Sequence, residues 1–275
     1  MIRELYLTPW LYVVAIIVFA LERVIPVRRD QPTVSAGLLQ DFVWFNADTA
    51  FQLLVLPLYL GFLATVYRQH LSFLTLDVLQ ERSIPVRIVC SLVIVDFLQW
   101  LHHLIRHRVE AFWAFHMVHH SQRELNLFTD GRFHVMEYVI DQALIFIPML
   151  MLQVTLAPAM WLALAIRWYT RIYHANLRTH YGPLKYFMVT PQSHRIHHSV
   201  EAKHQNKNFG VLFTIWDRLF GTLYANYDEY PEVTGVADER FPVEQALRGW
   251  RRLGAYVEQT LYPFRRLVLG GLRDV

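Results

Sequence analysis

Apolar residues along this chain fall into runs too long for a half-exposed surface helix and too continuous for an alternating strand. The first covers Leu5–Leu21, bounded by Glu4 and Glu22, with Pro9 suited to an early helical turn. A second covers roughly Phe42–Val66 and a third Ile84–Ile105, and Val139–Leu156 and Ala159–Tyr173 follow, divided by Pro158. Each approaches the roughly 20 residues needed to cross a hydrocarbon core about 30 Å thick. The pattern predicts an all-α integral membrane protein with about four transmembrane helices plus a re-entrant or fifth helix. Pro148, Pro158 and Arg167 weaken the last pair and leave a re-entrant hairpin open there. Strand signals are weak throughout.

Between and after these runs the chain turns polar. Residues 26–41 read as a connector and 106–137 as polar helical pieces. The stretch from Tyr173 to about Tyr230 is polar and aromatic, with a turn-rich segment at Asn206–Gly210. From Pro242 onward Arg248, Arg251, Arg252, Arg265 and Arg266 alternate with Trp250, Leu253, Tyr256 and Leu261. That is the pattern of an amphipathic segment at a membrane surface, or of a solvated helix packed on a cap. No periodic repeat or low-complexity segment is present.

Composition supports the membrane class, with 54% hydrophobic and only 18% charged residues. The first run lacks a basic leader, and Glu22-Arg23 follows it in place of small residues at a cleavage site, so it reads as a retained anchor. With the N-terminus outside, only Arg3, Arg68, Arg82 and Arg87 of the 26 Lys and Arg fall on the outer side. The basic excess then lies inside, which makes the protein multi-pass with its histidine-rich stretches on the cytoplasmic side. The net charge of +3 and the scattered basic residues argue against a nucleic-acid reader. The single cysteine, Cys90, excludes an intrachain disulfide and any cysteine-based zinc or iron–sulfur site.

The chemistry is carried by histidine, of which the chain has 14. His116-Met-Val-His119-His120 and His194-Arg-Ile-His197-His198 each place three imidazoles within about one helical turn, where i, i+3 and i+4 share a face. His103 and His107 add an i, i+4 pair at the inner end of the third run. Eight imidazoles at such spacing are rarely accidental, and unpartnered in a core they would be costly. Neutral imidazoles suit a borderline transition metal, and the doubled triplet suggests two ions, the spacing leaving iron, zinc and copper open. Asp96 lies on the His103 face, at 96, 100, 103 and 107. It is placed either to accept a hydrogen bond from a ligating imidazole or to be satisfied by a neighbouring helix, and the cost of an intramembrane carboxylate favours the first. His102 points about 100° away from His103 and reads as a bystander. His70, His180 and His204 fall outside the spacing.

Together with Asp96, the run His103-Leu-Ile-Arg-His107…His116-Met-Val-His119-His120-Ser, Leu125-Asn126, and Arg132-Phe-His134-Val-Met-Glu137 resemble the fatty acid hydroxylase/sterol desaturase superfamily. So do His174-Ala-Asn176, Thr190-Pro-Gln-Ser-His194-Arg-Ile-His197-His198, Asn208-Phe-Gly210 and Trp216-Asp217…Gly221-Thr. The resemblance covers about residues 93–223. It implies a membrane-bound non-haem di-iron oxygenase that hydroxylates, desaturates or cleaves a lipid with dioxygen and two electrons. The electrons would come from an external donor protein, a ferredoxin- or cytochrome b5-type reductase chain, because no such module is apparent here. The implied ligands are His103, His107, His116, His119, His120, His174, His194, His197 and His198. His134 matches an element that some branches lack, and is a possible further ligand. Asp96, Asn176, Asn208 and Asp217 are implied as residues that support the ligands. The chain departs from the family at Asn206, where an aspartate is frequent, and at Val135, where proline is.

Three parts follow: N-terminal transmembrane helices and connector at 1–92, a di-metal domain at 93–223, and an interfacial tail at 224–275. The leading expectation is hydroxylation or desaturation of an acyl or sterol-like C–H bond. The rivals are an ether-lipid-cleaving alkylglycerol-type monooxygenase, a membrane zinc hydrolase, and a histidine-rich metal transporter or store.

Overall fold

The computed structural model describes residues 9–154, 156–244 and 249–270, so Leu5–Thr8 of the first run and Arg248 lie outside the described residues. Among the described residues ten α-helices follow one another: α1 Pro9–Val24, α2 Ala36–Leu54, α3 Leu56–Val66, α4 Ile84–Arg108, α5 Glu110–His120, α6 Val135–Met151, α7 Leu156–His174, α8 Pro191–His197, α9 Ile215–Leu219 and α10 Arg251–Gly270. Among the described residues there is no strand, only the isolated bridges Met188–Phe213 and Ser199–Thr234. The all-helical expectation therefore holds.

Several boundaries differ from the sequence reading for identifiable reasons. The connector expected at 26–41 ends early, because Ser35 caps α2 and its side chain accepts from the Leu38 amide at 3.0 Å. The run 42–66 is not one straight helix. It breaks at Val55, ahead of Pro57, and the two segments bend by 45°. Helix α6 begins at Val135 rather than Val139, because His134 and Glu137 form a reciprocal capping box. The break placed at Pro158 falls earlier, after Met151, where Gln153 has φ 51°; Pro158 sits in the first turn of α7, where proline is tolerated.

Helix α4 is long and apolar enough to cross a membrane. The bent pair Ala36–Leu54 with Leu56–Leu74 qualifies as a second if taken as one span. By length and composition these are the candidates among the described residues, fewer than the four expected. A single extended residue, Val109 (φ −109°, ψ 115°), separates α4 from α5 and folds α5 back against it. Helix α8 packs on α7, and α10 lies across α2 and α5. The His-rich ends of α4, α5, α7 and α8 are thereby gathered into one place.

What anchors the tail to this assembly is ionic. Arg132, fully buried, donates to Asp41 of α2 at 2.9 Å and to both carboxylate oxygens of Glu244 at 3.0 Å, and its Nε reaches the Val118 carbonyl and Ser121 Oγ. Burial alone would favour losing the proton, but the two carboxylates hold the guanidinium above its ordinary range. Gln259 of α10 closes the arrangement, donating to Glu244 and accepting from Trp44 Nε1 at 2.9 Å. Removing one member of a buried, hydrogen-bonded charge group leaves its partners uncompensated. Arg132→Leu should therefore cost about 3–5 kcal/mol of stability. Thermal melts of the detergent-purified protein would check this, and an unchanged melting temperature would contradict it.

Candidate metal centre

Nine histidines converge in two adjoining groups. His103, His107, His116, His120 and His197 form one; His119, His174, His194 and His198 form the other. Within each, the ligand nitrogens all lie within 4.8 Å of one another. The groups touch: His120 and His198 stack at 4.2 Å between centroids, and His116 and His119 lie 5.3 Å apart.

Each triplet contributes to both groups. The first and last members, His116 and His120, face the first group, and the middle member, His119, faces the second; the other triplet reverses this, His197 facing the first group and His194 and His198 the second. Helical geometry explains the split, because i and i+4 diverge by only about 40° whereas i+3 and i+4 diverge by about 100°.

The hydrogen bonds fix the protonation of several rings. A carbonyl oxygen can only accept, so Nδ1 carries the proton in His103 (to Phe209 O, 3.0 Å), His174 (to Thr170 O, 2.6 Å) and His197 (to Lys207 O, 2.8 Å). His116 Nδ1 likewise meets Glu137 Oε2 at 2.7 Å. Burial depresses the proton affinity of the site imidazoles outside the apolar spans: His116, His119, His120, His194 and His198 lie well below the usual range, and His197 is lowered to about 4. The rings are neutral, and where Nδ1 holds the proton the Nε2 lone pair is free and faces another imidazole nitrogen.

These lone pairs are close. Nε2–Nε2 separations are 3.1 Å for His103–His116, His197–His120, His119–His174 and His198–His194, and 2.8 Å for His194–His174. Between His103 and His116 both Nε2 atoms lack a proton, so their approach is a repulsion between two acceptors and not a hydrogen bond. A cation among them converts that repulsion into ligation, and the outward N–H bonds to carbonyls and a carboxylate are the arrangement metal-bound imidazoles adopt. The residues thus fit a pair of borderline transition-metal ions.

Residues expected to support the ligands act through the backbone. Asp217 accepts from Trp100 Nε1, the Phe209 and Gly210 amides and Thr222 Oγ1, fixing the loop whose Phe209 carbonyl receives His103. Asn208 (φ 59°) donates to the Ser193 carbonyl and accepts from the Tyr224 amide, and its left-handed backbone lies between the two carbonyls that receive His197 and His103. A Cβ on Gly210 would lie 2.7 Å from the Phe213 carbonyl, so this close approach requires glycine. Asn176 pairs with both backbone groups of Arg28, tying the end of α7 to the connector.

Two expectations change, those for Asp96 and His134. Asp96 bonds no imidazole; it accepts from the Leu212 and Phe213 amides and Trp216 Nε1, because the 209–216 loop crosses its face of α4. His134 stands apart from both groups, capping α6 and meeting the Thr260 carbonyl at 3.0 Å, because it precedes the helix that the element introduces. His204, outside the spacing patterns, joins Glu201 and Glu229 in a separate cluster whose Glu229 is already paired with Lys203. His102 pairs with Asp141, away from the centre, and His70 and His180 belong to neither group. Sequence reasoning gave no role to Glu137, which bonds His116, or to Arg106, which bonds Glu137 at 2.9 Å. The Arg-x-His-x-x-Glu spacing of Arg132, His134 and Glu137 was the available signal for Glu137. Asp130, 3.8 Å from His174, had none; burial raises its proton affinity, but Arg167, His174 and Arg171 bring it below the ordinary range.

Residues 88–222 match the fatty acid hydroxylase family. Among curated relatives, ornithine lipid hydroxylase OlsE of Rhizobium tropici is 32% identical over 161 residues, covering 58% of this chain and 49% of that protein. The alkylglycerol monooxygenase of Homo sapiens is 31% identical over 144 residues, 49% of this chain and 30% of that protein. Fatty acid hydroxylase vlmA of Lecanicillium sp is 30% identical over 145 residues, 47% of this chain and 40% of that protein. The chain thus spans half or less of the length of these relatives. No solved structure matches it.

Two outcomes are expected. His119→Ala should lower the metal content of purified protein by about half, since it belongs to the four-imidazole group alone; unchanged content by elemental analysis would contradict the grouping. For His197, depressed to about 4, the unfolded chain binds a proton that the folded chain refuses as pH falls below about 6.5. Metal-free protein should therefore lose stability progressively below about pH 6.5, read as a falling melting temperature, and not on the alkaline side.

Proposed function

We propose that this chain, a member of the fatty acid hydroxylase family through residues 88–222, is a membrane-bound oxidoreductase that hydroxylates a lipid C–H bond using two irons, dioxygen and two electrons. The observation carrying this reading is the pair of adjoining all-imidazole groups, one of five and one of four, with lone pairs directed inward. Bound irons would supply dioxygen activation, a chemistry for which neutral nitrogen ligands leave the metals electrophilic.

The chain's own residues do the rest. Carbonyls of Thr170, Lys207 and Phe209 lock three ring orientations, and Glu137, itself held by Arg106, makes His116 a stronger donor. Trp113 and Phe209, whose rings lie 5.0 and 5.2 Å from His107, keep water from the five-imidazole group. The nine site histidines, apart from the half-buried His107, are buried, so these residues shield the centre from solvent.

The membrane reading includes a multi-pass arrangement with the histidine centre on the cytoplasmic side. It is supported by the apolar helix α4 and by exposed apolar side chains such as Ile16, Leu54, Leu58, Phe62 and Ile84, which water would not favour. In this reading residues 1–92 anchor, 93–223 carry the chemistry and 224–275 brace it. The substrate is a bilayer lipid, and electrons come from a separate ferredoxin- or cytochrome b5-type chain. A second reading, cleavage of an ether lipid, follows from the alkylglycerol monooxygenase relatives and shares the first step, since a hydroxylated ether carbon collapses to an aldehyde and an alcohol.

Purified protein should hold iron, and lipid mass spectrometry of cells with and without the gene should show a lipid heavier by one oxygen atom. A lipid lighter by two hydrogens would indicate desaturation, and a fatty aldehyde from an alkylglycerol would select ether cleavage. His119→Ala should abolish product while leaving membrane insertion intact. Product formed without dioxygen, by a zinc-loaded protein, would overturn the oxygenase reading.

A further inference from the structure

A cavity of about 330 Å³ lies beside α2, walled by Trp44, Ala47 and Phe51 of that helix, by Phe133 and Tyr138, and by Tyr256 of α10. Its outer lip is the α2–α3 break, where Leu54 and Val55 line it and are exposed. The exposed Leu58 and Phe62 continue that apolar surface along α3. Its inner wall is Phe133. That ring sits 4.8 Å from Tyr138 on the cavity side and 6.3 Å, edge-on, from His119 of the four-imidazole group. One ring therefore separates the cavity from the candidate metal centre.

The polar groups here are already committed to one another. Asp48 accepts from Gln52 Nε2 at 2.8 Å, Arg167 at 2.8 Å and the Tyr138 hydroxyl. The Arg167 guanidinium also bonds the Tyr138 hydroxyl and pairs with Asp130. A guest thus meets mainly apolar side chains and an internally neutralised charge pair, which suits hydrocarbon and gives a headgroup little to bind.

We propose that this cavity is a lateral portal through which a lipid's long alkyl chain passes from the bilayer to the metal centre, with Phe133 setting how far the chain reaches towards His119. The proposal rests on the membrane and lipid-oxidation reading above, and adds where the substrate lies. The bend at Val55 has a purpose on this view: it opens the helix surface at the depth where the chain must pass. Phe133 is a positioning residue, and its half-buried ring is the last apolar contact before the imidazoles.

The test uses full-length protein in phosphatidylcholine vesicles containing a fatty acid with a diazirine at its methyl end. After illumination, peptide mass spectrometry should find label on Phe133 or Tyr138 as well as on the lipid-facing Leu58 and Phe62. Ala47→Trp, which fills the cavity from α2, should reduce the Phe133 and Tyr138 label at least tenfold and leave Leu58, Phe62 and the metal content unchanged. Val135→Trp fills it from the opposite wall and should act alike. Label confined to Leu58 and Phe62 in the unaltered protein, or Phe133 label that survives both substitutions, would overturn the portal. If a variant does not fold, the wild-type label map decides alone. Labelled Phe133 in a protein that oxidises no lipid would uphold the portal and remove the oxygenase reading.

Discussion

The interaction on which this structure depends is an unfavourable one, the approach of neutral imidazole nitrogens with their lone pairs towards each other. Each ring must be stripped of water, kept unprotonated and aimed inward, and each requires an outward partner for its remaining N–H. For three rings the fold supplies this partner from backbone: the end of α7 through Thr170 for His174, and the 207–209 loop through Lys207 and Phe209 for His197 and His103. His116 uses a carboxylate, Glu137, with Arg106 balancing it. Much of what surrounds the centre can be understood as scaffolding for three carbonyls. Asp217, Asn208, Gly210 and Asp96 all hold the loop, or the turn next to it, that presents two of them.

The interior is correspondingly polar for a protein so rich in apolar residues. Its buried clusters of hydrophobic side chains are small, one joining Trp44, Met117, Val118 and Phe241 and another Val18, Leu127, Ala175 and Leu177. The larger apolar surfaces face outward on α1, α3 and the first half of α4. Cohesion between the polar parts then falls to ionic and hydrogen-bonded nodes such as Arg132 with Asp41 and Glu244, which join α2, the loop before α6 and the segment leading to α10. Such nodes are directional, and they favour one arrangement over others that bury the same area.

Much of this was legible in the residues. Histidine spacing identified eight of the nine imidazoles the fold gathers, because a helix converts i, i+3 and i+4 into geometry without help from the rest of the chain; His174 came only from the family resemblance. Apolar run length gave α4 almost to the residue. What escaped depended on contacts distant in sequence. Asp96 was assigned to an imidazole because it shares a helix face with His103, yet a loop more than a hundred residues later claims it. The carbonyl partners were invisible, since every residue has a carbonyl and only the fold decides which one is presented. Helix ends moved for local reasons that were readable in principle: Ser35, and the His134–Glu137 pair, are capping signals that run-length reasoning passed over.

The turn at Val109 has a consequence for how this chain can change over generations. One extended residue joins the helix carrying His103 and His107 to the helix carrying His116, His119 and His120. Inserting or deleting a single residue there would rotate the second helix by about 100° relative to the first and exchange which imidazoles each group contains. The segment from His103 to His120 is therefore of fixed length, whereas the loops leading to His174 and His194 carry no such phase and are free to lengthen.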